Sequence, residues 1–196
     1  MHNLLNKKNK SFLVPSATLL LLIIINIVYF YLNLKNYINS SNYAFNELFI
    51  NYQAGLIRRG LLGEIFWIIN KFLAVKPIVF FSYLFLIIHL LQIYLFYKIF
   101  NKFSQLYSIY ILTFLSPALM LFYIYDVNLY FLKDIFVTLT ILFHAFILIN
   151  FFDKKENKES YLKKLKYFIL PFLILTILIH EYQVLFLGVH FLFSLS

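Results

Sequence analysis

Read for alternation of apolar and polar positions, the chain shows neither the two-residue period of a half-buried strand nor the narrow stripe of a soluble helix. It shows long unbroken apolar runs separated by short polar stretches. A membrane-spanning helix needs about 20 mostly apolar residues. Five runs reach or approach that length: 12–34, 77–100, 105–125, 134–152 and 167–194. Backbone polar groups in hydrocarbon must be satisfied within their own segment, so each run is expected to be a helix. The lack of alternation argues against a β-barrel. A sixth apolar stretch, 61–75, is short and carries Glu64 and Trp67. It fits a helix lying in the membrane interface or re-entering it better than one that crosses. The expected fold is therefore all-α: a single polytopic transmembrane helix bundle with about five spanning helices and one interfacial or re-entrant helix.

Composition supports that reading. The chain is 63% hydrophobic and 13% charged, against about 25% charged in a soluble domain. Too little polar surface is present to cover a water-facing globule. The first run follows the basic "KKNK" at 7–10, but no A-x-A cleavage site follows it. It reads as a retained helix and not a signal peptide. The last run is still apolar where the sequence stops and is longer than a bilayer requires. This predicts a break near His180–Glu181 or Gly188, or a strong tilt. It also suggests a fragment of a longer protein.

The net charge of +9 does not point to nucleic acid. The lysines lie in short connections, where they orient a membrane protein. With a cytoplasmic N-terminus, Lys7, Lys8, Lys10, Lys98 and Lys102 fall inside. The six lysines of "DKKENKESYLKKLK" fall inside as well. Lys35, Arg58, Arg59, Lys71, Lys76 and Lys133 remain outside. The expected location is the cytoplasmic membrane, crossed several times, provided 61–75 does not itself cross.

This topology gathers ionisable groups toward the outer face. Arg58 and Arg59 sit there against the usual bias. Asp126 ends the third run, and Lys133 and Asp134 open the fourth. Glu181 lies fourteen residues past Tyr167, roughly 21 Å along a helix. That depth is in the outer half of a hydrocarbon core, with His180 one step below. An ionisable residue at such depth is costly and by default functional. Arginine's planar fork suits phosphate or carboxylate, and a carboxylate or imidazole can deprotonate an acceptor hydroxyl. The candidate acid–base residues are Glu181, His180, Asp126 and Glu64. The candidate substrate-binding residues are Arg58, Arg59, Lys133 and Asp134. Each has a plainer alternative: arginines holding lipid headgroups, Asp134 at a helix start, and His180–Glu181 as a structural interhelical pair. His89 with Gln92, and His144 with Thr140, read as interhelical hydrogen-bonders. With no cysteine and no metalloprotease, EF-hand, P-loop or nucleophile-elbow pattern, no metal or cofactor is expected.

"GLIRRGLLGE" (55–64), "SPALMLF" (116–122) with "LKD" (132–134), and "HE" (180–181) in a late helix together resemble polytopic bacterial membrane proteins of surface-polysaccharide pathways. These are the O-antigen-polymerase-like proteins and the multi-helix lipid-dependent glycosyltransferases. The resemblance spans roughly residues 45 to 185. It implies sugar transfer or polymerisation outside the cytoplasmic membrane from a polyprenyl-phosphate-linked donor. In the polymerase-like proteins external arginines are functional, a role that Arg58 and Arg59 match. The glycosyltransferases carry an aspartate in the first external loop, where this chain has Glu47 and Glu64. A transporter or flippase component and a non-catalytic assembly subunit remain alternatives.

Overall fold

The computed structural model describes residues 2–36, 43–53, 60–103, 130–154, 157–180, 184–185, 187–188 and 190–191. Among them the chain is all-helical, without strands. The first helix, α1, is His2–Asn36. A short helix, α2 (Tyr43–Asn46), runs into a 3₁₀ turn at Glu47–Phe49. Next come α3 (Leu61–Leu73) and α4 (Pro77–Phe103). After the third predicted run, which lies outside the described residues, α5 covers Asp134–Lys154 and α6 Lys158–Lys164. A π-helical turn at Leu165–Ile169 then leads into α7, Leu170–Ile179.

Among the described residues three helices are long and apolar enough to cross a membrane: Ser16–Lys35 of α1, Pro77–Asn101 of α4 and Asp134–Phe152 of α5. How they distribute their side chains is more telling than their length. Thr18, Asn26, Asn33, Ser82, His89, Gln92, Thr140 and His144 are all buried, while Leu20, Ile24, Ile27, Tyr31, Ile87 and Phe152 are exposed. A water-soluble bundle does the reverse. An interior more polar than its rim is what lipid permits, because lipid tails are as apolar as leucine and polar contacts hold the helices together.

On α1 the inward stripe is Thr18, Leu22, Asn26 and Asn33, spaced by one or two helical turns. It packs on α4 in antiparallel register. Leu22 meets Ile93, and the rings of Phe30 and Tyr83 lie 5.2 Å apart. The other face of α4 meets α5, where the Gln92 side chain donates to the Ile135 carbonyl at 2.9 Å. Gln92 is fifteen residues from Pro77, about 22 Å along the axis. The first turn of α5 therefore sits beside the interior of α4 and not beside its start.

An aromatic cluster sets that placement. Phe45, Phe81, Phe85, Tyr130 and Phe131 are essentially fully buried. Phe45 meets Phe49, Phe81 and Phe131 edge-on at 5.1–5.9 Å, and Phe85 meets Phe131 at 5.5 Å. Such pairs add about 0.5–1.5 kcal/mol each beyond their burial. They tie α2, α4 and the turn before α5 into one unit.

The short helix α3 buries Leu62, Gly63 and Phe66 and exposes Ile65, Ile68 and Phe72. Lys71 reaches over the Trp67 ring at 5.4 Å. Thirteen residues of this pattern suit a helix lying along an interface. It stops at Ala74, whose N–H caps the Asn70 carbonyl from the left-handed region (φ 47°, ψ 39°). Only glycine occupies that region without a Cβ penalty. Ala74→Gly is therefore expected to raise stability by about 0.5–1 kcal/mol, read as a higher unfolding midpoint in detergent.

The predicted fifth helix does not run unbroken from 167 to 194. It ends at Ile179, and His180 is extended (φ −145°, ψ 112°). Up to that point α7 is antiparallel to α5. The Thr140 and Thr176 hydroxyls are 3.4 Å apart, and the Phe143 and Phe172 rings are 5.5 Å apart. His180 then meets Asp134, while His190 meets His144. The two contacts are ten residues apart on both segments, 134 and 144 on α5 and 180 and 190 beyond α7.

Candidate functional site

The site is built where α7 stops. Asp134 is the first residue of α5, where the helix dipole favours a carboxylate. Its Oδ1 lies 2.8 Å from His180 Nε2. His180 can reach it because it has left the helix: its backbone N–H still caps Thr176 O at 2.8 Å, but its extended geometry swings the ring across to α5. The imidazole is buried and the carboxylate is partly open (7% and 44% exposed), so the pair has a dry side and a wet side. An Nε2–H donated to Asp134 fixes the tautomer and leaves Nδ1 as the basic nitrogen.

Lys133 precedes the pair and points the other way. It is buried, and its ammonium donates to the Glu47 carbonyl at 2.9 Å. An ammonium at such a place needs hydrogen-bond acceptors to offset its lost hydration. One comes from the 3₁₀ turn, the Glu47 carbonyl, and the same bond fastens that turn to the start of α5.

Glu64, in the first turn of α3, receives the Tyr52 backbone N–H at 3.1 Å. The Gln53 side chain donates to both of its oxygens, at 3.2 and 3.4 Å. Its carboxylate thus secures the stretch leading toward Arg58 and Arg59. Of the residues singled out from sequence, the structure brings Asp134 and His180 together and places Lys133 beside them, turned toward α2. Glu64 is committed to its own loop. Arg58, Arg59, Asp126 and Glu181 lie outside the described residues.

Two polar groupings were not legible as sites. His89 Nε2 lies 3.3 Å from the Tyr130 carbonyl, and its ring packs on the Tyr130 ring at 4.6 Å. The Tyr130 hydroxyl is buried without a hydrogen-bond partner, and burial pushes its phenol above the ordinary value, so it stays protonated. The second grouping is His144, His190 and Tyr161, brought together from three separate segments. Its one sequence signal is the equal ten-residue interval between 134 and 144 and between 180 and 190. That interval carries meaning only once Asp134 is known to meet His180.

Comparison with known proteins finds no matching family model, curated sequence or solved structure. The functional reading therefore rests on the site. Among the described residues no group of three or more histidine and carboxylate side chains is placed to hold a metal ion.

Proposed function

We propose that this chain is a multi-pass protein of the cytoplasmic membrane that transfers or polymerises sugars from a polyprenyl-linked donor, with His180 as the base and Asp134 as its orienting partner. The observation that carries the reading is the 2.8 Å Asp134–His180 pair at the end of α7. Non-helical backbone at membrane depth is tolerated only where protein or a water-filled cavity surrounds it. A carboxylate–imidazole pair at such a break is a means of removing a proton from a hydroxyl.

In this reading the acceptor hydroxyl gives its proton to His180 Nδ1 while its oxygen bonds to the anomeric carbon. The bond from that carbon to the diphosphate oxygen breaks, and the polyprenyl diphosphate leaves as the anion. Arg58 and Arg59 neutralise the departing charge. The topology that goes with it has about five spans, a cytoplasmic N-terminus and the lysine-rich 153–166 turn inside.

Purified protein in liposomes, supplied with a polyprenyl-diphosphate sugar and a glycan acceptor, should release polyprenyl diphosphate. In cells, Arg58→Ala, Arg59→Ala, Glu181→Ala and Asp134→Asn should shorten or abolish the surface polysaccharide. Normal chain length in all four variants refutes the reading.

A second reading has one observation in its favour. Asp134–His180, Thr140–Thr176 and His144–His190 form a polar seam along α5, and polar groups at that depth also line translocation paths. Substrate flux into reconstituted vesicles, without release of polyprenyl diphosphate, would select a transporter.

A further inference from the structure

We propose that the edge of α3 formed by Trp67 and Lys71, with Lys76 beside it, is a docking site for the phosphate of an anionic phospholipid, whose acyl chains lie along the exposed Ile65, Ile68 and Phe72 of the same helix. Neither the enzymatic nor the transport reading uses this helix. Two contacts fix the level at which it lies. Leu22 packs on Ile93, and the Phe30 and Tyr83 rings are 5.2 Å apart. Six residues on from Phe30 is Asn36, the last of α1, and six residues back from Tyr83 is Pro77, the first of α4. Antiparallel helices in this register bring those two ends to one level. The candidate span of α1 closes at Lys35, and that of α4 opens one residue after Lys76. Both lysines are exposed, so this level is the edge of the apolar layer at one face.

α3 stays at that edge. Its thirteen residues extend about 20 Å, short of a hydrocarbon core of about 30 Å. Phe66, in the middle of the helix, meets Phe80 at 5.5 Å and Phe81 at 5.3 Å. Phe80 is three residues past Pro77, about 5 Å along α4. The side of α3 turned to the protein is Leu62, Gly63 and Phe66. Away from it run Ile65, Ile68 and Phe72, three and four residues apart, which makes them one stripe. Phe72, at 79%, is the most exposed of the large apolar side chains among the described residues. Such a stripe beside the end of a span is accommodated by acyl chains.

The polar edge adjoins the stripe. Trp67 and Lys71 are one turn apart, and Lys71 is three residues from Ile68, so the three side chains are neighbours on the helix surface. The Lys71 ammonium lies over the Trp67 ring at 5.4 Å. A ring face attracts the charge but offers its N–H groups no oxygen. Lys76 is exposed, just past the left-handed Ala74 that ends the helix. Among the described residues no carboxylate or carbonyl receives either ammonium. The one carboxylate of α3, Glu64, is two turns from Lys71 and is taken up by the Tyr52 N–H and the Gln53 side chain. Two cations, a tryptophan and an apolar stripe on one short helix match the parts of a phospholipid: its phosphate, its glycerol level and its acyl chains. Basic side chains at a bilayer surface are drawn to anionic headgroups, and tryptophan prefers the same level. A second copy of α3 on the stripe would bring two more lysines and one engaged carboxylate, which is no match for the charge.

Charge sets which lipid is held. The phosphate of phosphatidylcholine carries its own cation, so two further ammonium groups gain little from it. The phosphate of phosphatidylglycerol has none, and Lys71 and Lys76 supply the missing charge. An anionic lipid is therefore enriched beside Trp67, whereas a neutral one is only a neighbour. The attraction acts at a wet surface, so salt weakens it.

The chain has a single tryptophan, so its fluorescence reports on α3 alone. The full chain is placed in nanodiscs containing lipids brominated either just below the headgroup or at the bilayer centre. The shallow bromines should quench Trp67 about twofold more than the deep ones. Stronger quenching by the deep bromines, or none by either, overturns the proposal: the helix would then cross the bilayer or be covered by protein. Shallow-brominated phosphatidylglycerol should quench about twofold more than equally shallow phosphatidylcholine at the same mole fraction. Lys71→Gln combined with Lys76→Gln should make the two lipids equal and leave the depth profile unchanged. Equal quenching in the unsubstituted chain, or a preference that survives both substitutions, overturns the phosphate site. If the double variant does not fold, the unsubstituted chain in about 1 M salt decides, where the Debye length is about 3 Å. The preference for phosphatidylglycerol should fall there, and an unchanged preference overturns the site.

Discussion

Gly63→Ala is expected to unseat α3 and lower stability by about 3 kcal/mol, the upper part of the range for overpacking. In an isolated helix the same change would help by about 1 kcal/mol, because alanine is the better helix former. The structure reverses the sign. A methyl group at position 63 would overlap the Ile50 carbonyl oxygen, and would lie 2.7 Å from its carbon and 2.9 Å from the Phe49 carbonyl carbon. These are backbone atoms, with no side-chain rotamer to give way. The 3₁₀ turn would have to withdraw from α3, breaking the Tyr52–Glu64 hydrogen bond and the edge contact of Phe49 with Phe66 at 6.0 Å. The measurement is the thermal unfolding midpoint in detergent. An unchanged or raised midpoint would show that α3 does not pack on Ile50 in this way. Glu64→Gln provides the comparison. It keeps the shape and weakens only the hydrogen bonds, so its loss should be nearer 1 kcal/mol.

The largest functional effect is expected at Asp134. Asparagine there preserves size and hydrogen bonding but can offer His180 Nε2 an amide donor in place of a carboxylate. The imidazole would then carry its proton on Nδ1, the nitrogen that has to accept one. A change of tautomer, with no loss of fold, should reduce transfer by about 10²- to 10⁴-fold, while the unfolding midpoint moves little. His180→Ala should cost as much. The double substitution should cost hardly more than either alone, since the two act as a unit. Additive losses, or full activity in Asp134→Asn, would assign the pair a purely structural role. Lys133→Met separates position from chemistry. It removes the tie to the Glu47 carbonyl, so it should lower stability before it lowers turnover in the protein that remains folded.

Several features were legible in sequence because they depend on local pattern and on the solvent. The all-helical character, the apolar runs that became the candidate spans of α1, α4 and α5, and the short amphipathic α3 follow from run length and from the absence of alternation. His180, Asp134 and Lys133 could be singled out because ionisable side chains next to or within apolar runs are costly and therefore few.

Other features depended on contacts between distant segments. Asp134 and Lys133 are sequence neighbours and equal candidates for substrate binding. They separate because His180 meets the Asp134 carboxylate while the Lys133 ammonium is taken up by the Glu47 carbonyl. Glu64 had the composition of a base, yet its oxygens receive the Tyr52 N–H and the Gln53 side chain, a pairing set by how α3 packs. Nothing in the spacing of His144, Tyr161 and His190 unites them. They meet only in the packed chain, after α7 has ended at Ile179 and His180 has left the helix. By itself the sequence determined which residues prefer lipid and which would be costly to bury there, since that is transfer free energy, summed residue by residue. Which costly residues offset one another was decided by the tertiary structure, since a partner is a matter of distance, and distance between segments far apart in sequence exists only after packing.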